Sequence, residues 1–320
     1  MQTVFYPFGV KLSVIIPVYN VRNYLDECLR SVVEQHVDDL EVILVDDGST
    51  DGSSDACDQW ASRYPFITVI HQKNAGLSGA RNAGLGHATG DFITFLDSDD
   101  RLGINTWRDN LRFFDIYPGI DMVEFPIREY EGSPRERLLT FDPKYVNAPS
   151  TAGKARTADK VGKPTSPVYI DWLLSKGYEH CYACNKIYRA TLWTSRRFPV
   201  GQVFEDTAVM PHIVRDCRGI FYSSKGCYHY ICHKGSISQR WHYADCRQLF
   251  LNSHRLFSEA RTLPGVRWHL QPLRKARLNR LIDMGRCRDC NTTDYHAQCG
   301  KVSAAERLIC RLRLLTAPKL

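Results

Sequence analysis

The sequence predicts an α/β fold: a mostly parallel, doubly wound sheet flanked by helices, followed by a C-terminal helical extension. Two observations predict it. Along residues 1–127, short apolar runs alternate with segments whose apolar side chains recur at helical spacing. The first runs are largely continuous, as expected for parallel strands that are covered by helices on both faces. Strands and helices that alternate in this way are typical of a parallel sheet.

Four strands and three helices are expected in this first part. The opening strand "LSVIIPV" and the second strand "LEVILVD" are the clearest. Between the strands, apolar residues recur three and four positions apart, which indicates helices that bury one face. The predicted strands cover residues 12–18, 40–46, 66–71 and 91–96. The helices that follow the first three strands contain residues 24–33, 56–64 and 78–88.

The middle region, residues 128–240, is less regular. Residues 128–166 are polar, rich in Pro, Gly and Ser, and weakly periodic, so we expect an irregular excursion or a mobile loop over the site. Regular structure is expected to resume near Val168. A helix is predicted to begin near Glu205, and a strand pair is predicted within residues 219–238.

The C-terminal region, residues 241–320, is expected to be helical and carries the excess of positive charge. The formal net charge is +7, and residues 261–320 contain thirteen Lys and Arg against four Asp and Glu. A basic segment of this kind suits an anionic surface such as membrane headgroups, lipid phosphates or nucleic acid.

One segment of that region, "SAAERLICRLRLL", has the pattern of an amphipathic helix. Ser303 and Glu306 open it at capping-box spacing. Four apolar residues then share one face: Leu308, Ile309, Leu312 and Leu315. Two interpretations stay open, a helix docked on the rest of the protein and an interfacial helix that contacts an anionic membrane.

The twelve cysteines predict reduced thiols in a cytosolic protein, because disulfide frameworks belong to short secreted chains. The N-terminus lacks the features of a signal peptide, and no apolar run reaches the length of about 18 residues that a membrane span needs. Cys287, Cys290, His296 and Cys299 offer the ligand types of a zinc site. Their spacing fits no standard finger, so ordinary thiols in a polar loop are favoured.

Three carboxylates follow the fourth predicted strand in "GDFITFLDSDDRL", at Asp97, Asp99 and Asp100. Like charges this close repel one another, so a positive partner is expected. A divalent cation held by oxygen ligands meets that need. The alternative is a helix cap, but one Asp would serve for that.

A second acidic turn, "VDDGSTDG", follows the second strand. In parallel sheets, ligands bind at the carboxyl ends of the strands. The first turn, "PVYNVRNYL", lacks the glycines of a dinucleotide-binding fold, and the chain has no P-loop. Carboxylates can bind ribose hydroxyls and base N–H groups, and can hold a metal that binds phosphates. With Arg81 as a bidentate phosphate partner, this describes a nucleotide-diphosphate site.

Four motifs together resemble the family 2 inverting glycosyltransferases of the GT-A fold, of the type that builds bacterial cell-surface polysaccharide. The matching motifs are "SVIIPVYN", "EVILVDDGSTDGS", "NAGLSGARNAGL" and "GDFITFLDSDD". The resemblance implies transfer of a hexosyl group from a nucleotide-diphosphate donor, expected to be a UDP-sugar, to a hydroxyl of a glycan or lipid-linked saccharide. It also implies Mn²⁺ or Mg²⁺ as cofactor, a cytoplasmic place at the inner face of the membrane, and no nucleic-acid partner.

The resemblance assigns the first region, 1–127, to nucleotide-sugar binding and the middle region, 128–240, to the acceptor side. It places five residues at the nucleotide. Pro17 and Tyr19 would line the base pocket, where ordinary strand-end packing is the alternative. The base edge would be read by Asp47 with Asp46 beside it, and Arg81 would face the nucleotide.

The resemblance also implies a metal site. Asp97 and Asp99 would form the metal-binding D-x-D, with Asp97 near the nucleotide and Asp99 the more direct ligand. His233 and Ser236 match a strand and flexible loop of the family. His233 would be a third metal ligand or a diphosphate contact, and a purely structural histidine is the alternative.

The catalytic base is expected in "GQVFEDTAVMPHIV", where the family has a Glu-Asp pair. Asp206 fits the position of the base, and Glu205 is the second candidate. The alternative is that acids in a first helical turn are favoured by the helix dipole alone. Cys184 stands where the family often has Trp, which leaves the packing on the acceptor side open.

Two other functions fit parts of the pattern. A nucleotidyltransferase that makes the sugar nucleotide would share the sheet, but it usually opens with a glycine-rich basic loop that "PVYNVRNYL" lacks. A catalytically inactive nucleotide-sugar-binding module is the other alternative. The presence of both "DSD" and "FED" argues against it.

Overall fold

The structure is a computed structural model that describes residues 11–147, 166–233, 242–263 and 266–316. Strands and helices alternate in the first part, as predicted. The elements there are β1 (Leu12–Val18), α1 (Arg22–Val33), β2 (Leu40–Asp46), α2 (Ser53–Arg63), β3 (Ile67–His71), α3 (Gly76–His87), β4 (Phe92–Phe95), β5 (Arg101–Leu102), α4 (Thr106–Ile116) and β6 (Met122–Glu124).

The middle region adds more strands than the sequence pattern predicts. Its elements are β7 (Ile127–Glu131), β8 (Arg137–Leu139), β9 (Lys144–Asn147), α5 (Pro167–Leu174), β10 (Lys186–Arg189), α6 (Glu205–Asp216), β11 (Gly219–Tyr222) and β12 (Tyr228–Ile231). The predicted helix start near Glu205 is confirmed.

An eight-stranded sheet in the order β3-β2-β1-β4-β10-β6-β11-β9 forms the centre of the molecule. β1, β2, β3 and β4 pair in parallel. β10 then pairs antiparallel with both β4 and β6, so the first and middle regions share one sheet. β1 is buried along its whole length, because α1 and α3 cover its two faces. Continuous apolar sequence is therefore required here.

A second, four-stranded sheet has the order β5-β12-β7-β8. The strand pair predicted within residues 219–238 is wrong as a pair. β11 joins the large sheet beside β6 and β9, whereas β12 pairs with β5 and β7 in the small sheet. Local apolar pattern identifies a strand but not its partner, which depends on long-range pairing.

The irregular excursion predicted for residues 128–166 is also not what the structure has up to residue 147. β7, β8 and β9 lie there, and residues 148–165 lie outside the described part. β7 is polar yet alternates, with Ile127 and Glu129 buried and Arg128 more exposed. Glu129 is neutralised by Arg137 of β8. Because a buried position of β7 is a charged residue paired with an exposed arginine, the strand could not be found by a search for apolar residues.

The C-terminal region is helical, as predicted, with α7 (Tyr243–Ala260), α8 (Gln271–Arg286), α9 (Thr292–Cys299) and α10 (Ala304–Thr316). α7 docks on α6. The Asn252 Nδ2 donates to Thr207 Oγ1 at 2.9 Å, and Leu256 and Phe257 join the core of the middle region.

α10 is docked on the rest of the protein, and contact with a membrane stays a prediction. The capping box is confirmed: Ser303 N–H donates to Glu306 Oε2 at 2.8 Å, and Glu306 N–H donates to Ser303 Oγ at 3.3 Å. Glu306 and Cys310 are buried, so the helix is docked. The four apolar residues that were predicted to share one face are exposed: Leu308, Ile309, Leu312 and Leu315.

All twelve cysteines lie in the described ranges, and all are free thiols. Cys287 is buried with its Sγ 3.5 Å from Cys246 Sγ. Across the described residues, no three His, Cys, Asp or Glu side chains are arranged to hold a metal, and Cys287, Cys290, His296 and Cys299 do not form such a group there. In the same ranges, none of the helices has the length and apolar character needed to cross a bilayer.

Candidate active site

The carboxyl ends of β1, β2 and β4 meet at one edge of the large sheet. Pro17 is buried near the end of β1, opposite Val45 of β2. Tyr19 follows it with its side chain 51% exposed. Beyond it, the Asn20 Oδ1 accepts the Thr50 N–H at 2.8 Å and joins the first turn to the second. This edge of the sheet therefore has an exposed aromatic ring next to a turn that a hydrogen bond fixes.

Asp46 is buried at the end of β2 and acts as a local acceptor. Its Oδ1 accepts the Ser49 N–H at 3.0 Å, and its Oδ2 lies 2.9 Å from His71 Nδ1. Burial acts to raise the pKa of Asp46, but the bonds from His71 and Ser49 outweigh it, so the pKa is lowered. The hydrogen bond to Asp46 in turn raises the pKa of His71.

Asp47 is buried and holds the loop that leads into α3. Its Oδ1 accepts from Gln72 Nε2 at 2.6 Å and from the Ala75 N–H at 2.8 Å, and its Oδ2 accepts the Gly76 N–H at 2.8 Å. Three bonds fix the entry to the helix that carries Arg81. Asp47 thus fixes the loop before α3 at this edge of the sheet, a structural role that the sequence analysis did not predict.

Arg81 is the centre of the site. It lies on α3 with only 4% of its surface exposed. Its Nη2 is 2.5 Å from Asp97 Oδ1, and its Nη1 contacts Glu205 Oε1 of α6. Burial lowers the pKa of Arg81, but Asp97 and Glu205 outweigh it and raise that pKa. The Nε of Arg81 has no hydrogen-bond partner among the described residues.

The strand-end carboxylates have separate partners. Asp97 is part-exposed and paired with Arg81. Asp99 is also part-exposed, with its Oδ2 2.7 Å from the Nε2 of His233. The ring of His233 stacks on Tyr24 at a centroid distance of 4.5 Å. His233 therefore lies beside the D-x-D, as predicted, whereas Ser236 lies outside the described residues.

Asp100, the third carboxylate, is structural. The Tyr228 hydroxyl donates to its Oδ2 at 2.6 Å, and the Ile231 N–H donates to its Oδ1 at 2.7 Å. Burial, then the charges of Asp99 and Asp97, raise the pKa of Asp100 well above its ordinary value. Asp100 thereby fastens the small sheet to the end of β4, which the sequence did not reveal.

The D-x-D supplies the hard oxygen ligands that Mn²⁺ and Mg²⁺ prefer. Asp97 and Asp99 are open enough to meet a ligand, and their charges add to the effect of burial in raising the pKa of Asp100. In the described ranges, no three acidic, histidine or cysteine side chains are arranged around one ion position. The donor chemistry fits a divalent cation, and the metal site stays a prediction.

Glu205 and Asp206 have different environments at the start of α6. Glu205 is buried in its ion pair with Arg81. Asp206 is half-buried, and its Oδ1 accepts the Thr207 N–H at 2.7 Å. Burial, then the charge of Glu205, raise the pKa of Asp206 to about 7, against the opposing effect of Arg81. Such a pKa suits a proton acceptor near neutral pH.

A buried charge cluster on β6 and β10 was not expected from the sequence. The Glu124 Oε1 lies 2.6 Å from His180 Nδ1 and 3.1 Å from Lys186 Nζ, and both Glu124 and Lys186 are fully buried. Glu124 and Lys186 are register partners in the sheet, so only the strand pairing brings them together. Cys184, where the family often has Trp, is buried just before β10.

Comparison with known proteins identifies the family. The sequence model of the family described as "Glycosyl transferase family 2" matches residues 13–172, which is half of the chain. The glycosyltransferase GlyA of Streptococcus pneumoniae is 31% identical over 242 residues, which cover 72% of this chain and 32% of GlyA. The minor teichoic acid biosynthesis protein GgaB of Bacillus subtilis is 41% identical over 136 residues, 41% of this chain and 15% of GgaB. This chain thus spans about a third or less of these two relatives.

Solved structures with the same fold cover nearly the whole chain. TarS of S. aureus (residues 1–349, in complex with UDP-GlcNAc) has a TM-score of 0.61 at 20% identity and matches 96% of this chain and 88% of that one. The mannosyltransferase PcManGT of Pyrobaculum calidifontis, in complex with GDP-Man and Mn²⁺, has a TM-score of 0.56 at 17% identity and matches 97% and 80%. This agreement confirms the predicted fold. With the four sequence motifs and the family match over residues 13–172, it shows that the protein belongs to glycosyl transferase family 2 and has the GT-A fold.

Proposed function

We propose that this protein is a metal-dependent, inverting glycosyltransferase that uses a nucleotide-diphosphate sugar, with a UDP-sugar as the expected donor. One observation carries the proposal. The buried Arg81 ties Asp97 at the end of β4 to Glu205 at the start of α6, so the acidic strand end and the Asp206 carboxylate belong to one site. Such a site has separate groups for a leaving nucleotide and for an attacking hydroxyl.

The nucleotide is proposed to bind at the edge formed by the ends of β1 and β2. The exposed ring of Tyr19 offers a surface for the base, and Pro17 is buried two residues before it in β1. Asp46 and Asp47 support that pocket and are the acceptors for the base edge. Because Asp47 already accepts three hydrogen bonds, we propose that it acts partly by fixing the loop before α3.

The diphosphate is proposed to lie beside Arg81 and the D-x-D. The unpartnered Nε of Arg81 is a buried donor, and leaving such a donor unpaired costs about 1–3 kcal/mol. A phosphate oxygen would satisfy it. Asp97 and Asp99 would hold Mn²⁺ or Mg²⁺, with His233 as a further ligand or diphosphate contact. The cation, when bound, neutralises charge on the diphosphate.

In the proposed transfer step, one proton moves, one bond forms and one bond breaks. Asp206 in its ionised form accepts the proton of the acceptor hydroxyl. That oxygen forms a bond to the anomeric carbon from the face opposite the nucleotide, while the bond from the anomeric carbon to the diphosphate oxygen breaks. The bonding pair leaves with the nucleotide diphosphate, and the configuration at the anomeric carbon inverts. Glu205 orients Arg81, and burial together with the charge of Glu205 keeps the pKa of Asp206 high.

The acceptor is proposed to be a hydroxyl of a glycan or lipid-linked saccharide at the cytoplasmic face of a membrane. The relative GgaB is named for teichoic acid biosynthesis, and TarS was solved with UDP-GlcNAc. These support a role in cell-surface polysaccharide and a UDP-sugar donor. The exposed apolar face of α10, with Arg307 and Arg311 on the same helix, supports peripheral contact with an anionic membrane.

A donor-hydrolysis screen tests the proposed function. UDP-sugars and GDP-sugars are incubated with the full chain and Mn²⁺, with and without a chelator, and nucleotide release is measured. We expect release from one donor class, lost on chelation and in Asp206→Asn. Nucleotide binding without release from any donor would favour the non-catalytic module. Release that is unchanged by chelator would contradict the metal role.

A further inference from the structure

A basic groove lies in the C-terminal region, between α7, α8 and the start of α10. Its volume is about 470 Å³. Six cationic or aromatic side chains line it: Phe257, Arg261, Trp268, Arg274, Arg277 and Lys301. None of these residues belongs to the site at the strand ends.

The positive charge of the groove exceeds its negative charge. Glu306 is the one acidic residue among its lining residues in the described part of the chain. Glu306 pairs with Arg274 at 2.6 Å and contacts Arg277. No ion pair involves Arg261 or Lys301 among the described residues, and both side chains are exposed. Glu306 therefore contacts two of the four cations in the groove, and the other two, Arg261 and Lys301, add uncompensated positive charge.

Arg277 is a buried cation that lines the inner part of the groove. It is only 3% exposed, with its guanidinium stacked on Phe257 at 4.0 Å from the ring centroid. Its Nη2 contacts Glu306, but its Nε has no hydrogen-bond partner in the described ranges. Burial lowers the pKa of Arg277, Glu306 opposes this, and the charges of Arg274 and Arg261 add to the lowering. A bound anion would accept a hydrogen bond from the Nε of Arg277. It would also offset the repulsion between Arg277 and its neighbours Arg274 and Arg261.

The N-terminus of α10 adds to the same field. Ser303 caps the helix and lines the groove beside Lys301. The positive end of a helix dipole favours anions, and phosphate most often where backbone and cationic side chains converge. Arginine recognises phosphate through two parallel N–H donors, and lysine binds it as a point charge. The chemistry of the groove therefore selects a compact oxyanion with several acceptor oxygens.

We propose that this groove is a binding site for a phosphate group, held by Arg261, Arg277 and Lys301. A phospholipid headgroup is the favoured source. Trp268 on the rim is 76% exposed, and α10 begins at the groove and exposes an apolar face. Tryptophan and apolar helix faces of this kind occur at membrane interfaces. The choice of a lipid rests on the membrane contact proposed above, whereas the phosphate site itself does not depend on the transferase function.

The test uses a charge-removing variant and a matched control. Arg261→Gln with Lys301→Gln removes two exposed cations from the groove and leaves Arg277 paired with Glu306. The control, Arg112→Gln with Lys225→Gln, removes two exposed cations from the other part of the protein. Calorimetric titration is made with glycerol phosphate and, separately, with monomeric dihexanoyl phosphatidylglycerol, in excess UDP to fill a nucleotide site.

We expect the groove variant to weaken binding by at least about tenfold, as loss of charge-assisted hydrogen bonds implies, and the control to bind like the wild type. Binding of the short-chain lipid alone would identify a lipid headgroup, and equal binding of glycerol phosphate would identify free phosphate compounds. Equal affinity in the groove variant and the control, or binding that UDP abolishes, would overturn the proposal. Donor hydrolysis by the groove variant is measured in parallel, so that failure of the transferase function is recognised separately.

Discussion

Arg81 and Glu205 form a buried ion pair between helices α3 and α6, although 124 positions separate them in the chain. The pair joins the two halves of the site. It also supports the proposal of Asp206 as the base, because Glu205 is paired with Arg81, whereas burial and then the charge of Glu205 raise the pKa of Asp206. Five predictions follow from the geometry around this pair and from α10.

Glu205→Gln is expected to destabilise the protein strongly. Removing one partner of a buried ion pair leaves the other charge uncompensated and typically costs about 3–5 kcal/mol. Part of that cost is offset here because Arg81 keeps Asp97. Urea unfolding of this variant is compared with Glu34→Gln, an exposed glutamate, which we expect to change stability little. A variant as stable as the wild type would show that the pair contributes nothing.

Asp206→Asn is expected to fold normally and to lose about 10²–10⁴ in transfer rate, because the base is removed. In the wild type, the rate is expected to fall below pH 7, by about tenfold per pH unit, as Asp206 becomes protonated. Glu205→Gln removes a charge that, after burial, raises the pKa of Asp206, so the folded fraction of this variant is expected to show the limb at lower pH. If the transfer rate of Asp206→Asn still falls below pH 7, another residue is the base.

Asp99→Asn is expected to weaken Mn²⁺-dependent UDP binding by about tenfold or more, since changes around metal ligands usually cost that much. The fold is retained because Asp99 is part-exposed. Calorimetry with UDP is run with Mn²⁺ and with a chelator, and Asp115→Asn on α4 is the exposed control. UDP affinity equal to that of the wild type in both buffers would remove Asp99 from the metal site.

Tyr228→Phe and Asp100→Asn are expected to change the free energy of unfolding by different amounts. Tyr228→Phe leaves Asp100 buried with one donor fewer, which costs about 1–3 kcal/mol. Asp100→Asn removes a buried group whose pKa is raised, and its amide can still accept from the Ile231 N–H. We expect a change of less than about 1 kcal/mol. Metal dependence is expected to persist in Asp100→Asn, and its loss would make Asp100 a ligand.

Leu308→Ser with Leu312→Ser is expected to reduce binding to vesicles of equal parts phosphatidylglycerol and phosphatidylcholine. Both leucines are more than half exposed, so the fold is expected to be unaffected. The control is Ile116→Ser with Leu138→Ser, which changes two other exposed apolar residues. Co-sedimentation is measured for both variants. Equal sedimentation of the two would show that the face of α10 does not contact the membrane.

Much of the fold could be predicted from local pattern. The continuous apolar runs of β1 and β2 require burial on both faces, so their bounds and their parallel pairing follow from the sequence. The capping box of α10 is also local, because Ser303 and Glu306 are three residues apart. The polar strand β7 could not be predicted, since the charge of Glu129 is compensated by a residue on another strand.

The sequence by itself determined the family, the parallel half of the sheet and the presence of acids at two strand ends, because these depend on residue type and spacing along a short stretch. Only the tertiary structure decided what those acids do. Whether Asp100 binds a cation or a tyrosine, and which of Glu205 and Asp206 pairs with Arg81, depends on partners more than a hundred residues away. Burial and neighbouring charge set the protonation of a carboxylate, and both come from packing between distant segments.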